Sequence, residues 1–261
     1  RVTTKTLTVY AADGKTKKDY TITVSKPAPP STPVYNTNLF KTFTFENQTN
    51  GAIAMNHDDA KTSVNAVSNP AYKYVDGVKG KAIYLNGTYG LKLCDSAKIG
   101  NTYSISFWMK PDAIQGGVDP TLAGGIFDPQ YWFNLSFGNG VWSNNGGYVD
   151  NNTPALSYTA GKWQHVTLTV DGTKAGSAAN THKAKLYLNG ELKLDGDIAA
   201  NVLTQTGAAL YFGVNRWDAY FAGALDEIAI FSRVLSATEV ASIANGSTDV
   251  TKIAASTDPN K

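Results

Sequence analysis

Apolar side chains at every second position recur along most of this chain, and that period of two narrows the available folds more than any other feature. Phe43 and Phe45, Ile105 and Phe107, Val166, Leu168 and Val170, and Leu186 and Leu188 all follow it. Successive side chains of a strand point to opposite faces, so each run offers one apolar face to a core. Asp76-Gly77, Asn86-Gly87, Asp171-Gly172 and Asn189-Gly190 separate the runs, and these dipeptides reach the left-handed backbone that tight hairpin turns require. The pattern predicts an all-β protein, a two-sheet antiparallel β-sandwich. At 261 residues, 42% of them apolar, the chain is long enough for one large β domain with an extra piece.

The extra piece lies at the start. Thr6-Leu7-Thr8-Val9-Tyr10 and Tyr20-Thr21-Ile22-Thr23-Val24 flank Asp13-Gly14, which predicts a β-hairpin over residues 1–25. Two strands bury too little apolar surface to stand alone. The hairpin is therefore expected to dock on something, or to end an upstream domain. Residues 26–38 contain Pro27, Pro29, Pro30 and Pro33 and read as an extended linker. The sandwich is assigned to residues 39–248. Ser236 and Glu239 have capping-box spacing, and Asn245-Gly246 supplies a stop, giving one short C-terminal helix. Residues 249–261 are polar and read as a tail or linker.

Several function classes are disfavoured. A net charge of +2 is too small for a nucleic-acid partner, and Lys15, Lys17 and Lys18 belong to a turn. No apolar run approaches a membrane span, and the first five residues lack the apolar stretch of an export signal, so any such signal is expected upstream. Cys94 is the single cysteine, which forbids an internal disulfide and reads as an inert thiol on a strand. His57, His165 and His182 carry no local catalytic signature. Trp108 and Trp163 are expected to fill the space between the sheets, with His165 as a satisfied structural imidazole.

Six segments in order carry a family resemblance: Phe43-Thr44-Phe45-Glu46-Asn47, the run from Gly80 to Gly87, Tyr103 to Pro111, Trp163 to Gly172, Lys185 to Glu191, and Phe221 to Phe231. Together they resemble the laminin-G-like, concanavalin-A-like lectin and glucanase domains of bacterial polysaccharide-degrading systems. The resemblance implies a concanavalin-A-like jelly roll in a secreted or cell-surface protein. It also implies linkage in one chain to catalytic or surface domains. The opening hairpin is similar to the last two strands of immunoglobulin-like repeats from such proteins.

Catalysis in this architecture requires two carboxylates facing one cleft, and the Glu-x-Asp-x-x-Glu spacing that the catalytic relatives resemble is missing. Adjacent Asp226 and Glu227 are expected on opposite faces of a strand. The resemblance instead implies a structural calcium ion on Glu46 and Asp226, with backbone oxygens near Asn47 and Ala224. The competing reading is an exposed carboxylate, or one paired with a cation such as Arg233.

Sugars have apolar C–H faces and a rim of hydroxyls, so their sites combine aromatic rings with planar polar groups. One such mixture runs from Asp128, Pro129 and Gln130 through Tyr131, Trp132, Phe133 and Asn134 to Trp142, Asn144, Asn145, Tyr148 and Asp150. The other is Asn215-Arg216-Trp217-Asp218, in which Trp217 is the leading candidate. Trp132 alternates with Tyr131 and Phe133, so one side of that strand faces inward. The expected function is a non-catalytic carbohydrate-binding module for a polysaccharide or oligosaccharide of the galactan, arabinan, fructan or β-glucan class. The alternatives are a structural or adhesive stalk domain and, behind it, a glycoside hydrolase domain.

Overall fold

In the computed structural model of the chain, the described residues are 2–25, 39–46, 53–55, 72–93, 99–114, 120–127, 130–136, 140–144, 148–149, 156–250 and 253. Asn47, Cys94, Asp128, Pro129, Asn145, Asp150 and the Pro-rich stretch lie outside them. Two compact units are present, Arg1–Val34 and Tyr35–Lys261.

The first unit is an antiparallel pair, β1 (Val2–Tyr10) and β2 (Lys17–Ser25), with Leu7 opposite Tyr20. Asp13 shapes the connection: one carboxylate oxygen accepts the amides of Lys15 and Thr16 at 2.9 and 2.8 Å, and the other accepts the Thr16 hydroxyl. Directly paired residues share a face, so Leu7, Val9, Tyr20 and Ile22 lie together, and all four are exposed.

The second unit is built from two antiparallel sheets. One runs β12 (Tyr148–Val149), β11 (Gly140–Ser143), β10 (Tyr131–Ser136), β9 (Pro120–Ile126), β16 (Ala209–Phe212), β7 (Gly90–Leu93) and β4 (Ile53–Met55). The other runs β15 (Glu191–Ala199), β14 (Thr181–Leu188), β13 (Gln164–Ala175), β8 (Tyr103–Pro111), β17 (Ala222–Phe231), β6 (Lys81–Asn86) and β5 (Lys73–Asp76), with β3 (Leu39–Phe43) also paired to β17. Inward residues of both, including Leu91, Phe107, Met109, Phe133, Leu168, Leu210 and Phe212, form one core. Phe107 and Phe212 meet edge to face across it, ring centres 5.3 Å apart. The all-β sandwich with one short helix among the described residues matches the expectation from periodicity.

That helix, α1 (Ala237–Ala244), covers the outer face of the eight-stranded sheet. Val240 and Ile243 pack with Tyr187, Ala229, Phe231 and Leu235 of the sheet side and with Val250 and Ile253 beyond the helix. The Ser236 hydroxyl accepts the Glu239 amide at 3.2 Å, and the Glu239 carboxylate accepts the Ser236 amide at 2.8 Å. Arg233 pairs with the same carboxylate through Nη1 at 2.9 Å and Nη2 at 2.5 Å. The capping box is thus joined to a partly buried ion pair, and Arg233 is committed to Glu239.

Three expectations are overturned here. Trp108 does not enter the inter-sheet space: its neighbours Phe107 and Met109 do, so alternation sends Trp108 to the outer face, where it is half-buried. Trp163 precedes β13 and is also only half-buried. His165 is fully buried on the helix-covered face, with Nε2 2.8 Å from the Ser106 hydroxyl, but Nδ1 has no partner among the described residues. It is therefore only half satisfied, and burial pulls its pKa down to about 3, leaving the ring neutral.

Asp226 and Glu227 break the alternation as well. Glu227 has a left-handed backbone, φ 46°, and the β17–β8 register slips between Asp226 and Ala229. This bulge inserts an extra residue. Leu225 and Ile228 both enter the core, and the two carboxylates between them lie outside it, on one side instead of two.

Candidate functional site

Three tryptophans from three separate elements come together on the outer face of the seven-stranded sheet. Phe133 and Leu135 of β10 and Val141 of β11 point into the core, so Trp132 and Trp142 point away from it. Their rings meet edge to face at 6.2 Å and 88°. The loop after β16 brings Trp217 over them, its ring centre 4.4 Å from that of Trp132 and 5.4 Å from that of Phe127. Trp132 and Trp142 are half-buried, whereas Trp217 is 44% exposed. Beneath lies a small apolar cluster of Ala123, Phe127, Ala209, Tyr211 and Val214, flanked by Tyr220. Tyr131, the other aromatic candidate on β10, is half-buried.

Polar residues hold these rings in place. The buried Asn215 accepts the amides of Trp217 and Asp218 at 2.8 Å each and donates to the Asp218 carboxylate at 2.6 Å. Its amide thus shapes the loop, and as a wholly buried side chain it is a positioning residue, not the sugar contact its sequence neighbourhood suggested. Asn144 is similarly committed: its carbonyl accepts the Trp132 amide at 2.9 Å, and its NH2 donates to the Gln130 carbonyl. Arg216 donates from Nη1 to the Phe127 carbonyl at 2.6 Å, tying the Trp217 loop to the end of β9. Buried Asn134 donates to Asp218 at 3.4 Å. The Asn134 carbonyl oxygen and the indole N–H groups of Trp132 and Trp142 are buried without a hydrogen-bond partner among the described residues.

The carboxylates gather elsewhere, around the turn between β5 and β6. Asp226 is fully buried and accepts the amides of Val78, Lys79 and Glu227 at 2.9, 3.2 and 2.7 Å. Glu46 accepts the Lys81 amide. The turn closes so tightly on both that a methyl group at Gly77 would stand 2.3 Å from the Asp226 carboxylate, and one at Gly80 would overlap that of Glu46. Burial raises the Asp226 pKa to about 6 against the lowering effect of its amide donors, and the Glu46 charge adds to the rise. Burial likewise raises Glu227 to about 7.

The model of the concanavalin A-like lectin/glucanases superfamily matches residues 85–241. The chain belongs to that superfamily. Among solved structures it is similar to domain 4 of AbnA, a GH43 extracellular arabinanase from Geobacillus stearothermophilus, in complex with arabinotriose. The two are 27% identical, with a TM-score of 0.59, over 79% of this chain and 98% of that one. The botulinum neurotoxin serotype G binding domain is 17% identical, with a TM-score of 0.50, over 80% of this chain and 51% of that one. A Trypanosoma rangeli sialidase is 16% identical, with a TM-score of 0.49, over 84% of this chain and 35% of that one. At 17% identity the likeness to the neurotoxin binding domain concerns the fold alone. No curated protein sequence matches significantly.

Superfamily membership establishes the lectin/glucanase fold, which supports both binding and hydrolysis, so chemistry must be argued from the site. Of the described candidates, the structure unites Trp132, Trp142, Trp217, Asn144, Asn215, Arg216 and Asp218. It places Glu46 and Asp226 at one turn, away from the aromatic rings. Sequence reasoning missed Phe127 as a member of the aromatic cluster, whereas Asn134 belonged to the mixed segment it had singled out. It also missed Glu227 as a buried group, because a bulge has no signature in alternation.

Proposed function

We propose that the larger unit is a non-catalytic carbohydrate-binding module whose site is the Trp132, Trp142 and Trp217 cluster. The observation that carries this reading is the convergence of three indole rings from three separate elements, the outermost left open. An exposed ring lies against the C–H face of a sugar, while Asp218 and Arg216 beside it suit the hydroxyl rim. The unpartnered polar atoms beneath the rings are groups that hydroxyls or water would satisfy. The similarity to an arabinanase domain bound to arabinotriose supports a short neutral oligosaccharide and makes arabinotriose the first ligand to try. Attachment to a catalytic or surface domain, an extracellular location and an upstream immunoglobulin-like origin for the hairpin complete the proposal. In calorimetric titration with arabinotriose, Trp217→Ala should keep the fold and weaken binding about thirtyfold, roughly 2 kcal/mol. Unchanged affinity would move the site elsewhere.

We further propose that Glu46 and Asp226 hold a calcium ion that fastens the opening segment to β17. Two carboxylates, one fully buried, face the same turn, and Asp226 has no ion-pair partner among the described residues. Oxygen donors of this kind suit a hard cation. No three side chains of His, Cys, Asp or Glu among the described residues form a ligand group, so the remaining ligands would be backbone carbonyls and water. Chelator should lower the melting temperature of the parent and leave that of Asp226→Asn unmoved. Equal melting with and without chelator in the parent would remove the ion.

A further inference from the structure

A concavity lies on the opposite sheet, between the β5–β6 turn and the end of α1. It is a cleft of about 480 Å³ whose lining includes Lys79, Trp108, Glu227, Asn245, Asp249 and Val250. That volume falls within the roughly 300–1,000 Å³ usual for small-molecule sites. Trp108 forms an aromatic wall, backed by the buried His165 ring at 5.1 Å. Glu227 is only 8% exposed, and one of its carboxylate oxygens has no hydrogen-bond partner among the described residues. The Lys79 ammonium lies 2.8 Å from Asp249 and 3.9 Å from Glu227.

The charges decide what kind of ligand fits. A cationic ligand would have to displace Lys79 from both carboxylates, and an anionic one would face those carboxylates directly. A neutral polyol meets neither obstacle. Carboxylates accept its hydroxyls, the Lys79 ammonium and the Asn245 amide donate to its oxygens, and the indole covers its C–H face. We propose that this cleft is a second saccharide-binding site for one or two neutral sugar rings, making the module bivalent. It goes beyond the aromatic-cluster site and uses none of its residues.

The five tryptophans give separate reporters through their indole N–H resonances, read by NMR on the full chain. Arabinotriose, cellobiose, maltose and lactose serve as probes. At least one should shift the Trp108 signal saturably. Glu227→Gln and Asp249→Asn should each weaken that response about tenfold, and Trp217→Ala should leave it unchanged. The proposal is overturned if no probe moves the Trp108 signal up to about 10 mM, or if Trp217→Ala abolishes the shift. Failure of the first site is read separately, from still signals of Trp132, Trp142 and Trp217 under the same titration.

Discussion

The two outer faces of the sandwich start from the same strand grammar and end differently. On the eight-stranded sheet, α1 and the residues after it lie over the outward side chains, so Ser106, His165, Thr167, Ala229 and Phe231 are all buried. On the seven-stranded sheet the outward side chains meet a loop instead of a helix, and the Trp217 ring remains 44% exposed. A covering element turns outward residues into a second core. Where only a loop is laid down, aromatic residues in the same positions gather near the surface and the outermost ring stays open.

The strongest way to break this comparison uses neighbours on β8. Phe107→Ala should cost about 3–5 kcal/mol in denaturant unfolding, because it opens a cavity in the inter-sheet core. Trp108→Ala, on the outer face and half-buried, should cost distinctly less. Equal losses would mean that Trp108 is core after all. A titration sharpens the covered side. His165 binds a proton with a pKa near 6.5 when unfolded but about 3 when folded, so below about pH 6.5 the unfolded state holds more protons. Stability then falls as pH drops toward 3, by roughly 2–3 kcal/mol near pH 4.5. His165→Asn should lose that share of the acid sensitivity, and an unaltered pH profile would contradict the buried neutral ring. The smallest effect concerns the cover itself: Ser236→Ala removes one half of the capping box and should cost about 1 kcal/mol, with arabinotriose binding unaffected.

Much of the sandwich was legible because alternation and turn dipeptides such as Asn189-Gly190 are local signals, although Asp171-Gly172, expected as a turn, lies inside β13 at a register shift. Phe107 and Trp108 show where legibility ends. Alternation places them on opposite faces, Phe107 with Ile105 and Met109 and Trp108 with Ser104 and Ser106, and residues of both faces are buried because α1 and its flanks cover part of the outer one. β17 shows the same degeneracy, with every residue from Gly223 to Phe231 buried, so no polar stripe marks its outer side. The Trp217 loop was recognisable from its mixture of ring and polar groups. Its partners Trp132 and Trp142 were readable as candidates and share the local β10–β11 pairing, yet Trp217 reaches them only through the pairing of β9 with β16, which no local window contains. Asn215 illustrates the opposite error: a residue typical of sugar sites was absorbed by its own loop.

The pairing of β3 with β17 has a mechanical consequence. The strands are antiparallel, with Leu39 opposite Phe231, so the chain enters through β3 and leaves β17 at the same end of the ladder. Tension applied across those two residues would peel the ladder bond by bond, like a zipper, because the load falls on one rung at a time. Strands loaded from opposite ends would share the same tension in shear. An ion at Glu46 and Asp226 would stand just beyond the far end of this ladder, past Phe43 and Ile228. There it would act as a rivet, reached only after the rungs before it had parted.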